Sequence, residues 1–213
     1  MQIQSSFYHT STMGHGEDCT TFPKVIGPIC VVGPQFVCSQ YLDMFTGKKL
    51  SDGIFGVTDV NGNLMFKIIG KSLSLHGRRI LVDAAGNRIL TFQKKLTSPR
   101  KTWLCFRGDN TDYRHYLFTV KQSNGAQYKT LLDVFLASNR NQDVADFKVR
   151  GNWLEKRCAV FAGESTATAA EMNKNHNVLT LCGEDAYIVK VYPNVDCAFI
   201  VALMVILNEI YEV

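Results

Sequence analysis

Between residues 55 and 122 the chain alternates apolar and polar positions with a period of two, interrupted at regular intervals by turn-forming residues. Phe55 and Val57 precede Asn61-Gly62, and Leu64, Phe66 and Ile68 follow it. Side chains of a strand point to opposite faces in alternation, so this spacing predicts two half-buried strands. Asn-Gly between them predicts a tight type I′ turn with positive φ at both central residues. The pattern returns 24 residues on: Asp59-x-x-Gly62-Asn63 is echoed by Asp83-x-x-Gly86-Asn87, flanked by Ile80, Val82, Ile89 and Phe92. Further turn signals stand at Asn124-Gly125 and Gly151-Asn152, with Trp103, Cys105, Leu117, Phe118 and Val120 in the strands between. A βαβ chain needs crossovers of about ten or more residues, and this spacing leaves no room for them. An antiparallel meander, sandwich or barrel is predicted, and the echo reads as one hairpin repeated, since it does not continue as a solenoid would.

The ends of the chain break the alternation. Residues 1–22 are rich in Ser, Thr, Gly and His without apolar periodicity and read as a flexible tail before one domain over 23–213. Short apolar pieces at Ile29 to Val32 and Phe36 to Cys38, broken by Gly27-Pro28 and Gly33-Pro34, read as an edge strand or an extended entry segment. Two stretches read as helix. Ser165 is placed to cap a short alanine-rich helix running to Lys174. The second begins after Pro193, with Asn194 as its expected N-cap and Asp196 where the helix dipole favours an anion. From Cys197 to Leu207 it is apolar on every face. Such a helix belongs in a bilayer or in a protein interior. A span needs about 20 apolar residues, whereas this run covers only about 16 Å, and no Lys or Arg cluster flanks it. A core helix surrounded by strands is the expectation.

Composition changes this picture little. Apolar residues make up 46% and charged residues 20%, enough for a sizeable core. A net charge of +4 suits an acidic surface as partner but falls short of a dedicated duplex binder. The seven cysteines lack CxxC spacing, and Cys105, Cys158, Cys182 and Cys197 sit in apolar stretches, as reduced thiols of a cytoplasmic protein do. The first sixteen residues contain no signal-peptide apolar block, Gln2 is incompatible with N-myristoylation, and the last four residues carry no prenylation cysteine.

Several segments together are similar to the plant LURP-one-related family: Thr58-Asp59-Val60-Asn61-Gly62-Asn63-Leu64-Met65-Phe66-Lys67, Leu132-Asp133-Val134-Phe135-Leu136, Gly151-Asn152-Trp153-Leu154-Glu155, Ala162-Gly163-Glu164-Ser165 and Val191-Tyr192-Pro193-Asn194-Val195-Asp196. The resemblance runs from about Ile26 to Ile210. It implies a mainly β, tubby-like fold, in which a closed barrel of twelve antiparallel strands surrounds a central hydrophobic C-terminal helix. Tubby C-terminal domains, which bind phosphoinositides, and phospholipid scramblases share that fold. The family resemblance implies a role in plant defence. Function inferred from a shared fold is analogy.

Catalysis has little to recommend it. The five histidines show no HxH or HxxxH spacing, and no GxSxG elbow, P-loop or GxGxxG is present, so no catalytic, metal or cofactor residues are assigned. Phosphate-headgroup binding is the sharper expectation. Lys148-Val149-Arg150 places two cations on one face of a strand, a Lys-x-Arg pair of the kind tubby domains use. Lys94-Lys95 and Arg100-Lys101 bracket the turn Leu96-Thr97-Ser98-Pro99, and Arg78-Arg79 lies beside His76. Converging Lys and Arg hold phosphoinositides or an anionic membrane surface by charge-assisted hydrogen bonds; the same residues also serve as solvated strand faces and protected edges. Trp103 and Trp153 lie near Arg100, Lys101, Lys156 and Arg157, as in nucleic-acid stacking platforms, but both fit core strand positions better. A carrier of small cargo is disfavoured because the helix is expected to fill the barrel. The sequence therefore predicts a non-enzymatic cytoplasmic binding module, peripheral at membranes, with a protein–protein scaffold in defence signalling as the alternative.

Overall fold

A computed structural model describes residues 27–50, 54–70, 77–123, 130–153, 155, 157–174 and 187–211. The expected tail, the Asn124-Gly125 turn and His76 lie outside the described residues. The strands are β1 (Leu42–Leu50), β2 (Ile54–Asp59), β3 (Leu64–Gly70), β4 (Arg79–Asp83), β5 (Arg88–Lys94) and β6 (Thr102–Arg107). They continue as β7 (Tyr116–Gln122), β8 (Thr130–Leu136), β9 (Phe147–Asn152), β10 (Arg157–Ala162), β11 (Thr168–Lys174) and β12 (Tyr187–Val191). Each pairs antiparallel with the next, and β12 returns to β1, closing a twelve-stranded barrel. Closure leaves no sheet edge for another chain to pair with.

Side chains alone fill an eight-stranded barrel; a wider one needs something in its lumen. Here that is α1 (Cys197–Tyr211), of which eleven of fifteen residues are buried, on all faces. Inward-facing residues lie in register around the wall, as in the row Phe92, Cys105 and Phe118, each wholly buried. Phe199 of the helix meets the Phe118 ring edge-on at 5.2 Å and Phe147 at 5.0 Å. The all-apolar run is therefore a core helix, and no helix among the described residues is long and apolar enough to cross a membrane.

Three local expectations are corrected. The Ser165 to Lys174 helix is absent: Thr168–Lys174 is strand β11, paired with β10 and β12. Alanine favours a helix locally, but two open strand edges offer a complete ladder, and Ala169 and Ala170, both buried, leave room for α1 against the wall. Ser165 instead closes the β10–β11 turn, its hydroxyl donating to the Ala162 carbonyl at 2.6 Å and accepting from the Ala167 N–H.

The Asn61-Gly62 turn is not type I′. Gly62 N–H donates to the Asp59 carbonyl, and of the loop residues only Gly62 has positive φ, at 82°. This is a type I turn followed by a left-handed glycine, the three-residue hairpin loop. The Asp59 carboxylate accepts the Asn61 and Asn63 N–H groups and fixes it. Asp83 to Asn87 repeats the geometry with Gly86 at 91°, which explains the 24-residue echo.

Asp196, not Asn194, caps the helix. Asn194 has φ of 66°, and its N–H is bound to the Cys38 carbonyl. The wholly buried Asp196 uses Oδ1 to accept the Phe199 N–H at 3.1 Å. Its Oδ2 accepts the N–H groups of Val31, Val32 and Gly33 at 3.1, 2.7 and 3.1 Å. Residues 29–38 are thus the entry segment and not a barrel strand, bridged to Val195 and Asp196. The Arg107 guanidinium also donates to the Val32 carbonyl.

Candidate anion-binding surface

The pleat of β9 buries Phe147 and Val149 inside the barrel and turns Lys148 and Arg150 outward. Register then sets their neighbours. Lys148 stands opposite Phe161 of β10 and Asp133 of β8, and Asp133 stands opposite Lys121 of β7. The β10–β11 turn brings Glu164 up to the pair: Lys148 Nζ lies 2.5 Å from Oε1, and Arg150 Nη2 3.4 Å from Oε2. The Arg150 guanidinium also lies 5.2 Å from the Phe161 ring centre, which holds its plane against the barrel wall.

Two cations thereby converge on one carboxylate whose side chain is 61% exposed. The hydrogen bond from Lys148, then the charges of Lys148 and Arg150, hold the Glu164 carboxyl below its usual range. It stays ionised through neutral pH, as an internal counter-ion at the rim of the pair. Beside it runs a shallow groove of about 450 Å³ lined by Arg150 of β9 and by Arg157 and Phe161 of β10. Glu171 lies on its far side, already hydrogen-bonded by the Tyr192 hydroxyl at 2.6 Å. Burial, and then that bond, raise the Tyr192 hydroxyl well above its ordinary pKa.

The other expected cations divide. Lys95 and Arg100 gather around Lys121, whose ammonium is lowered by burial first and then by those two charges. Lys121 lies 4.8 Å from the centre of the Phe135 ring. Lys101 turns away from this cluster and donates to the Ile210 carbonyl at 2.6 Å, where a cation complements the helix C-terminus. Lys94 occupies the inward row of Trp103 and is exposed at the barrel rim. Arg78 pairs with Asp109 and Arg79 with Glu209, so both serve the fold. Trp103 and Trp153 are buried, and neither offers a stacking face. Among the described residues no three His, Cys, Asp or Glu side chains cluster as metal ligands.

Three participants escaped the sequence: Glu164, Lys121 and Arg157's place in the groove. Strand register joins Lys121 to its neighbours and the β10–β11 turn carries Glu164 to Lys148 and Arg150, and no local spacing encodes either.

A closed antiparallel barrel threaded by its own C-terminal helix, carrying its convergent cations on the outer wall, defines a helix-plugged β-barrel class. The LURP-one-related family model matches residues 44–208, and the chain belongs to that family. Protein LURP-one-related 15 of Arabidopsis thaliana is 41% identical over 212 residues, spanning 98% of this chain and 97% of the relative. Protein LURP1 of the same plant is 42% identical over 86% of this chain and 90% of its own length. The X-ray structure of an Arabidopsis thaliana protein superposes with a TM-score of 0.69 at 41% identity, covering 84% of this chain and 96% of that one.

Proposed function

We propose that the protein is a non-enzymatic regulatory module that binds phosphate-bearing lipid headgroups on its outer wall, acting in the plant cytoplasm and peripherally at membranes, in defence. The observation behind this reading is the convergence of Lys148 and Arg150 on the single exposed carboxylate of Glu164. A phosphomonoester carries more charge than a carboxylate and three acceptor oxygens, so it competes for the same two cations. Arg157 lies along the adjoining groove to meet a second phosphate. Among the described residues the large exposed apolar side chains Tyr41, Val60, Leu96, Tyr113 and Val144 lie one to a connection, which gives the scaffold reading no contiguous apolar run.

The test is co-sedimentation with phosphatidylcholine vesicles, with and without a phosphoinositide. A basic residue near an anionic surface contributes about 1 kcal/mol, so Lys148→Ala/Arg150→Ala lowers partitioning about thirtyfold, and charge reversal lowers it further. Glu164→Gln, which removes the competing carboxylate, raises it. Unchanged binding by the folded double variant removes the assignment and leaves the scaffold.

A further inference from the structure

The helix does not fill the barrel completely. Between its second half and strands β1 to β4 lies a cavity of about 160 Å³. Val201, Met204, Val205 and Asn208, one face of α1 at the spacing 0, 3, 4 and 7, form one wall. Phe55, Val57 and Ile68 form the opposite apolar wall. The volume is close to that of an engineered apolar cavity known to admit benzene.

This cavity differs from a packing defect because two of its polar atoms are unpartnered. Thr46, only 1% exposed, presents a buried Oγ1 without a hydrogen-bond partner, and the Oδ1 of Asn208 is likewise buried and unpartnered. Buried polar atoms are nearly always satisfied, and two orphans on the walls of one cavity call for a shared partner. Among the described residues the remaining polar lining is the Arg79–Glu209 ion pair, closed on itself at 2.7 Å. Because those charges cancel, a charged ligand gains no counter-ion there and loses its own hydration.

We infer that the cavity binds a small neutral ring compound bearing one hydroxyl group, of phenol's size. Its ring packs between Phe55, Ile68 and Met204. Its hydroxyl donates to Asn208 Oδ1 and accepts from the Thr46 hydroxyl, satisfying both orphans at once. The site lies inside the barrel and shares no residue with the headgroup surface, so each reading stands or fails alone.

The test is titration of the full chain with phenol, benzene and benzoate, followed by methyl NMR shifts of Val201, Met204 and Val205 and by thermal denaturation. Phenol shifts these methyls and raises the melting temperature, benzene binds about five- to tenfold more weakly for want of the hydroxyl, and benzoate does not bind. Thr46→Val removes a hydroxyl with no partner, so the variant folds and is at least as thermostable, and its preference for phenol over benzene shrinks. Val205→Leu reaches into the space and abolishes phenol binding. The inference is overturned if phenol leaves the methyls unmoved at millimolar concentration. It is equally overturned if phenol and benzene bind alike to the wild type, or if Val205→Leu binds phenol undiminished.

Discussion

Replacing Asp196 with alanine removes a buried carboxylate that four backbone N–H groups share, and the consequence can be worked from the geometry. One of the four is the cap of α1 at Phe199; losing an N-cap acceptor costs about 1 kcal/mol. Val32 and Gly33 are buried and lose their bonds of 2.7 and 3.1 Å, and a buried orphan donor costs about 1–3 kcal/mol. Val31 is only half-buried, so water recovers its bond. Against this, the carboxylate's own desolvation cost disappears. The net falls near the lower end of the sum, at about 3 kcal/mol, which for a domain of this size lowers the melting temperature by about 6–12 °C. Asp196→Asn keeps one carbonyl oxygen and falls between. The assay is thermal and urea denaturation, with hydrogen exchange at Val31, Val32 and Gly33 to locate the damage. Exchange at these amides accelerates in the alanine variant even where the barrel stays closed, because the entry segment loses its seam. A variant within 1 kcal/mol of wild type, with unchanged exchange there, refutes the keystone role of Asp196.

Ile200→Asp buries an unpaired carboxylate on the barrel axis, where the native side chain is 1% exposed, and abolishes the near-UV circular dichroism of the folded state; a well-folded variant counts against the plugged barrel. Gly62→Ala and Gly151→Ala separate backbone conformation from collision: an alanine Cβ at Gly62 meets nothing, and the cost is about 1 kcal/mol in denaturant titrations. At Gly151, with φ of 138°, the same Cβ strikes the Arg157 carbonyl and lies 2.8 Å from Cys158 Cα, and the cost exceeds about 2 kcal/mol; equal effects would contradict the register at the β9–β10 turn. Among the described cysteines, iodoacetamide labels exposed Cys30 and half-buried Cys38 first. The neighbouring Cys197 thiol lowers the Cys38 thiol from its ordinary value, whereas burial pushes Cys105 up and leaves it inert. Mass spectrometry that finds Cys105 labelled as fast as Cys30 would overturn this ordering.

Much of the architecture was legible along the chain. Period-two alternation around Gly62 and Gly86 marked hairpins, and the all-apolar Cys197 to Leu207 run, too short to span a bilayer, marked a helix surrounded on every side. These features are local, set by side-chain alternation and by where a glycine must stand. The errors were also local. Ser165 to Lys174 carries helical residues, yet its strand state is decided by the edges of β10 and β12. Asn194 has a capping side chain, but the chain spends that residue on a left-handed turn and leaves the cap to Asp196.

The candidate site divides along the same line. That Lys148 and Arg150 share a face follows from period two and was readable at once. That both meet Glu164, that Lys121 joins Lys95 and Arg100, and that Lys101 serves the helix terminus instead depend on strand register and on the closure of β12 onto β1. The pocket beside Thr46 and Asn208, where a filled lumen was expected, is the clearest case. It arises from the fit of α1 against a wall of fixed curvature, a sum over residues 46 to 209 that no segment carries by itself. Along the chain, sequence determines which face each side chain takes; only the closed barrel decides what that face meets.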